Sequence, residues 1–122
     1  MSESTLLGIA KHEDIKNGDK TTTSSIWTKL TKPSTRLDTA LYLGDDSKVV
    51  DALLTADDTL STNQLTKAIV VLNSLDPDFR AVDVKKALRV INKKYTLKLY
   101  DDRDSWEPVI SKVRALIDIY SN

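Results

Sequence analysis

The chain contains no cysteine. Disulfides, thiol nucleophiles and Cys-ligated metals are thereby excluded, and a small disulfide-stapled secreted scaffold is disfavoured. Glycine and proline are sparse, three of each. With only Gly8, Gly18 and Gly44, no glycine-rich phosphate loop or dinucleotide-binding turn can be built. Neither G-x-S-x-G nor H-E-x-x-H occurs, and His12 is the lone histidine. A general base must be held within reach of its proton, and His12 falls in a segment read below as mobile, so it is taken as idle. No apolar run approaches the roughly 20 residues that span a bilayer. The first ten residues carry Glu3 and no basic residue, unlike a signal peptide. A soluble, cytoplasmic protein without membrane contact is expected. Net charge is missing too: 18 basic residues face 18 acidic ones, so bulk charge alone will not coat nucleic acid or acidic lipid.

What the chain does have is 40% hydrophobic and 30% charged residues over 122 positions, ordinary proportions for one globular domain. Residues 61–95 carry the strongest pattern. Ser61-Thr62-Asn63-Gln64 is a capping box, with Leu60 and Leu65 as its hydrophobic staple. Leu65, Ala68, Ile69, Leu72 and Leu75 then form one apolar stripe, which Asp76-Pro77-Asp78 terminates. A second helix follows, with Asp83 as the expected N-cap and Val84, Ala87, Leu88, Ile91 and Tyr95 on one side. Two such helices hide their stripes only against each other and the rest of the chain.

The remaining segments divide as follows. Residues 1–25 are polar, with a turn signal at Asn17-Gly18-Asp19 and a Thr/Ser run from Thr21, and are expected to be a flexible N-terminal arm ahead of a helical domain over 26–122. Ile26-Trp27-Thr28-Lys29-Leu30 alternates as a short strand does. So does Thr96-Leu97-Lys98-Leu99-Tyr100, and because a lone strand leaves backbone groups unpaired, a two-stranded β ribbon of 26–30 with 96–100 is expected. Ser34 is the expected N-cap of a helix through Leu37, Ala40 and Leu41, with Gly44 just past its end. The next helix should run from Ser47 to about Ala56, burying Val49, Val50, Leu53 and Leu54. Ser105 should cap a last helix whose stripe is Val109, Val113, Leu116, Ile117 and Tyr120, with Pro108 tolerated in its first turn. The fold class is therefore mainly α: a small bundle of four to five short amphipathic helices.

Charge is segregated along this scaffold. Over residues 80–98 the seven basic residues Arg80, Lys85, Lys86, Arg89, Lys93, Lys94 and Lys98 face the single acid Asp83, a net +6. At about 100° per residue, Lys85, Lys86, Arg89 and Lys93 lie opposite the apolar stripe. Over residues 45–58, Asp45, Asp46, Asp51, Asp57 and Asp58 against Lys48 give a net −4. These stretches could pair within the fold, between copies of the chain, or leave the basic face to a separate anionic partner. Lys85, Lys86, Arg89, Lys93, Lys94 and Lys98 are the candidate binding residues. Trp27 and Trp106, at element boundaries, are the candidate interface aromatics.

The acids Asp101, Asp102, Asp104 and Glu107 lack the calcium-loop pattern, and are read as carboxylates gathered at a helix N-terminus rather than as the centre of a metal-dependent enzyme. No catalytic residue, metal ligand, cofactor or small-molecule substrate is expected. The leading reading is a non-enzymatic binding or adaptor module that uses its basic face for protein–protein contact. Its size and arm would suit an accessory protein of a virus, phage or mobile element, though no residue carries that idea. Nucleic-acid binding through residues 80–98 is the alternative, although the gap from Leu75 to Val84 is too long for a helix-turn-helix turn and aromatic RNA-binding strings are absent.

Overall fold

A computed structural model describes residues 1–121. Among these, the ordered backbone is helical and no strand occurs: α1 (Glu3–Asn17), α2 (Thr21–Ile26), a 3-10 turn (Trp27–Lys29), α3 (Pro33–Leu43), α4 (Asp46–Leu54), α5 (Thr62–Asn73), α6 (Ala81–Tyr95), α7 (Lys98–Asp101) and α8 (Arg103–Ser121). The mainly helical reading holds. The ribbon does not.

Both segments assigned to the ribbon are tight helical turns. Ile26 closes α2, Trp27–Lys29 is a 3-10 turn, and residues 98–101 form α7. Five-residue alternation is too short to separate period two from a tightened turn in which positions i and i+3 eclipse. The inward residues decide it: Ile26, Trp27 and Leu30 are the buried ones in the first segment, a helical rather than an alternating set.

Residues 1–25 are folded, in place of the expected unstructured arm. Ser2 caps α1 by accepting from the Thr5 N–H at 3.1 Å, and Gly18, at φ 75°, closes it in the left-handed conformation that glycine adopts without a Cβ clash. The inward side of α1 is Leu7, Ala10 and Asp14, and this carboxylate, at a position where an apolar residue would reveal the stripe, conceals the helix from a hydrophobicity reading. Asp14 is buried because it caps α2, accepting from the backbone N–H of Thr22 at 2.9 Å and of Thr23 at 3.2 Å. Burial opposes its charged form, but the hydrogen bonds from Thr23 and Thr22 outweigh burial and hold it below the usual carboxylate range. Glu3 makes a similar staple, receiving the backbone N–H groups of Thr31 and Lys32 at 3.0 Å and 2.9 Å.

Stability drawn from a carboxylate with a depressed pKa is full above the ordinary range and is lost as pH falls through the lowered value. Asp14→Ala is accordingly expected to remove part of the acid sensitivity and to expose α1 and α2 to hydrogen exchange while α6 and α8 stay protected. Uniform loss of protection along the chain would contradict this assignment.

The other helix starts show where local chemistry was read correctly and where it was displaced. The capping box of α5 is complete: the Ser61 hydroxyl accepts from Gln64 N–H at 3.1 Å and the Gln64 side chain accepts from Ser61 N–H at 2.9 Å. Gly44, at φ 67°, ends α3. That helix begins at Pro33 after Lys32, not at a Ser34 cap, since proline at the first helical position forfeits no hydrogen bond. Asp45 caps α4 through the Lys48 N–H at 3.1 Å. Asp102 rather than Ser105 accepts at the start of α8, from Ser105 N–H at 3.3 Å. Pro108 consequently lies inside α8, past the first turn, and removes one donor to an earlier carbonyl.

Packing forms two apolar clusters. The larger draws on α3 to α6, α8 and the Trp27 ring, and includes Leu37, Val50, Leu53, Leu65, Leu72, Val84, Leu88, Ile91, Tyr95, Ile110 and Val113. The smaller is Leu7, Ala10, Ile26 and Leu30, joined by Leu6. Helix α6 packs against α4 and α8, α5 packs against α8 and α3, and α1 and α2 pack together and onto α3. No described helix is long and apolar enough to cross a membrane.

Candidate functional site

Helix α6 is fixed at both ends. At its start, Arg80 occupies the N-cap position, where Asp83 was expected, and holds the left-handed backbone at φ 45°, ψ 41°. It is the sole non-glycine residue with positive φ among those described. Its guanidinium donates to the Ser47 carbonyl at 2.9 Å, the Ser47 hydroxyl at 2.7 Å, the Asp51 carboxylate at 2.6 Å and the Asp83 carboxylate at 3.0 Å. One side chain thus ties the first turn of α6 to the flank of α4. The hydrogen bond to Asp51, set against burial, raises the pKa of Arg80 further.

At the other end Tyr95 is fully buried. Its hydroxyl donates to the Asp57 carbonyl at 2.6 Å and accepts from the Leu60 N–H at 2.8 Å, so it satisfies two backbone groups of the segment leading into α5. Its ring stacks on Trp106, with centroids 5.1 Å apart. Burial pushes the phenol pKa up to about 12. From α8, Arg114 donates to the Asn92 side chain at 3.2 Å and to the Thr96 hydroxyl at 3.3 Å.

Between these anchors the inner side, Val84, Ala87, Leu88, Ile91 and Tyr95, is sealed. Lys86, Arg89, Lys93 and Lys94 are exposed, whereas Lys85 and Lys98 are half-buried. Lys85, Lys86, Arg89 and Lys93 share the outward side of α6, Lys94 stands on its flank, and Lys98 opens α7. Among the described residues none of these six forms an ion pair; the pairs join Lys48 to Asp45, Arg80 to Asp51 and Asp83, and Arg103 to Glu107. Lys94 does exert a field on Asp57, whose pKa is held down first by the Thr59 hydroxyl and least by Lys94. The like-charge neighbours Lys85–Arg89 and Arg89–Lys93 each cost α6 a few tenths of a kcal/mol, partly offset by Lys93 and Lys94 at its C-terminal end.

The acidic stretch is largely committed within the fold. Asp45 caps α4 and pairs with Lys48, Asp51 holds Arg80, and Asp57 accepts from the Thr59 N–H and hydroxyl. Asp46 and Asp58 are the exposed members, which narrows what a second copy could offer the basic side.

The two tryptophans named as candidate interface aromatics are both packed against the fold. Trp27 is buried beneath the Arg36 guanidinium, 4.4 Å from its ring centroid, and Trp106 is half-buried against Tyr95. The Trp27 ring fills the core, and Trp106 packs against its edge. The exposed apolar residues near the basic side are instead Val82, Leu97 and Tyr100. Reading 96–100 as a strand obscured the last two.

His12 is exposed on α1. No group of three or more His, Cys, Asp or Glu able to hold a metal occurs among the described residues. Tyr42 lies between Lys11 and Lys20, whose ammonium groups stand 5.0 Å and 4.7 Å from its ring centroid. Lys20 also donates to the Tyr42 carbonyl at 2.5 Å, which fastens the segment after α1 to α3. No protein-family model, curated protein or solved structure matches the chain.

Proposed function

We propose that this chain is a non-enzymatic helical binding module whose basic α6 side docks an acidic surface on a protein partner. The observation that carries the reading is the contrast between Arg80 and the other cations of its stretch. Arg80 is bound by internal acids, while Lys86, Arg89 and Lys93 stand exposed on a helix pinned at both ends, without an ion-pair partner among the described residues. Exposed like charges on one helix side are mildly destabilising, and an external anion would relieve that cost. Rim charges of this kind steer association and set specificity.

Charge reversal tests the reading. Lys86→Glu combined with Arg89→Glu is expected to leave the circular dichroism spectrum and melting curve near those of the wild type. Capture of the acidic partner from lysate should fall at least tenfold. Undiminished capture would remove the basic side from the reading. Duplex DNA or RNA retarded at low salt, with a steep fall in affinity as salt rises, would instead favour phosphate binding through the same residues.

A further inference from the structure

Val70 and Ile119 are 61% and 63% exposed, and they line one groove between α5 and α8. Its first stretch is bounded by Val70 and Asn73 from α5 and by Lys112, Ala115 and Ile119 from α8, over the buried Leu116. A second stretch shares Asn73, Leu116 and Ile119 with the first and runs on past Leu75, Pro77 and Tyr120 to Asp78. The two are therefore one furrow, with Val70 and Lys112 at one end, Asp78 at the other and Asn73 midway. Helical spacing builds it. Lys112, Ala115 and Ile119 follow at three- and four-residue steps beside the inner stripe of α8, as Val70 and Asn73 do on α5. Ala115, with only a methyl, leaves room above Leu116. Contiguous exposed apolar side chains rimmed by polar ones mark a contact surface.

We infer that this groove is the interface through which two copies of the chain associate about a two-fold axis, each reversed end for end on the other. It uses none of the basic residues of α6 and goes beyond the function proposed above. Charge complementarity commits the occupant. In a two-fold contact every meeting of residue i with j is repeated as j with i, so a groove fits its own reversed copy when its two ends differ in sign. Here Lys112 marks one end and Asp78 the other, and neither belongs to an ion pair among the described residues. Lys112 has no acid three or four positions away on α8. The cation nearest Asp78 in the chain, Arg80, is held by Asp51 and Asp83.

The middle of the groove is self-complementary as well. The Asn73 amide carries both donors and an acceptor, so its two copies can satisfy each other near the axis. Val70 and Ile119 then shield the apolar rims of the opposite copy. With 18 basic and 18 acidic residues, no net-charge repulsion opposes the pairing. A lipid surface or nucleic acid fits less well, because either presents one sign of charge throughout and opposes Asp78.

Sedimentation equilibrium on the full chain, over roughly 10 μM to 1 mM, reads this association. The wild type is expected to pass from monomer to dimer without larger species, since a two-fold contact closes. Val70→Ser with Ile119→Ser should weaken the dimer at least tenfold while leaving the circular dichroism and melting of dilute protein unchanged, both side chains being exposed. Lys112→Asp and Asp78→Lys should each weaken it at least fivefold, because each creates two like-charge contacts per dimer. Lys86→Asp, which alters net charge as Lys112→Asp does but away from the groove, should not. An equimolar mixture of the Lys112→Asp and Asp78→Lys chains should dimerise again, since both contacts across the axis then join opposite charges. A wild type still monomeric at about 1 mM, growth into larger species, or a dimer indifferent to Val70 and Ile119 would overturn the inference. So would a mixture that fails to recover, or a Lys86→Asp loss equal to that of Lys112→Asp. Monomers that instead bind phosphatidylserine vesicles through Ile119 would overturn the second copy in favour of lipid.

Discussion

Tyr95→Phe is expected to destabilise the protein by about 2 kcal/mol, because the buried Leu60 N–H loses its partner at full desolvation cost and the partly buried Asp57 carbonyl at a smaller one. The ring of phenylalanine fills almost the same space and keeps the stacking on Trp106, so the loss isolates the hydroxyl. The Leu60 N–H and the Asp57 carbonyl are the groups left unpaired. Chemical denaturation of both proteins measures the difference, and a change below about 0.5 kcal/mol would mean that the two backbone groups find water instead.

The same hydroxyl shapes the alkaline limit of stability. A phenol ionises near pH 10 in an unfolded chain, while in the folded protein burial pushes Tyr95 up to about 12. Between these values the unfolded state has released a proton that the folded state keeps. Stability is therefore full below pH 10 and falls as pH rises towards 12. Tyr42 and Tyr120 are raised as well, so the diagnostic quantity is the difference between wild type and Tyr95→Phe. The gap between their denaturation midpoints should narrow across this window.

Arg80 gives the second large effect. Arg80→Ala is expected to cost about 2 kcal/mol: charge-assisted hydrogen bonds to Ser47, Asp51 and Asp83 are lost, discounted because Asp51 and Asp83 are partly exposed and can rehydrate. Alanine also keeps the left-handed strain at φ 45°, which glycine would relieve by about 1 kcal/mol. Arg80→Gly should accordingly be more stable than Arg80→Ala despite losing the same contacts. The reverse order would show that the backbone relaxes once the guanidinium is gone.

The sequence was legible where a single side chain acts on its immediate neighbours. Ser61 and Gln64 could be paired by eye because both partners lie within four residues, and Gly44 announced the end of α3 for the same reason. It was illegible where the decisive partner is distant. Arg80 takes the start of α6 because Ser47 and Asp51 hold it, and neither is near in the chain. Asp14 hid α1 by occupying an inward position for the sake of the Thr22 and Thr23 amides. The stretch 96–100 failed differently: Leu97 and Leu99 alternate as in a strand, yet only Leu99 packs against the core, and five residues are too few for period alone to decide. The basic side of α6 was readable because α6 is long and its inner stripe regular. The exposure of Val82 and Tyr100 was not, since such side chains look like core residues until the packing leaves them out.

The double anchoring of α6 carries a thermodynamic consequence. A ligand arriving at a segment that is already rigid spends little of its interaction energy on organising the receptor. The heat-capacity change of association should then scale with the apolar area covered at the contact, with no added contribution from folding on this chain's side. Calorimetry at several temperatures would give a nearly straight enthalpy plot of modest slope, unlike the steep one that accompanies coupled ordering.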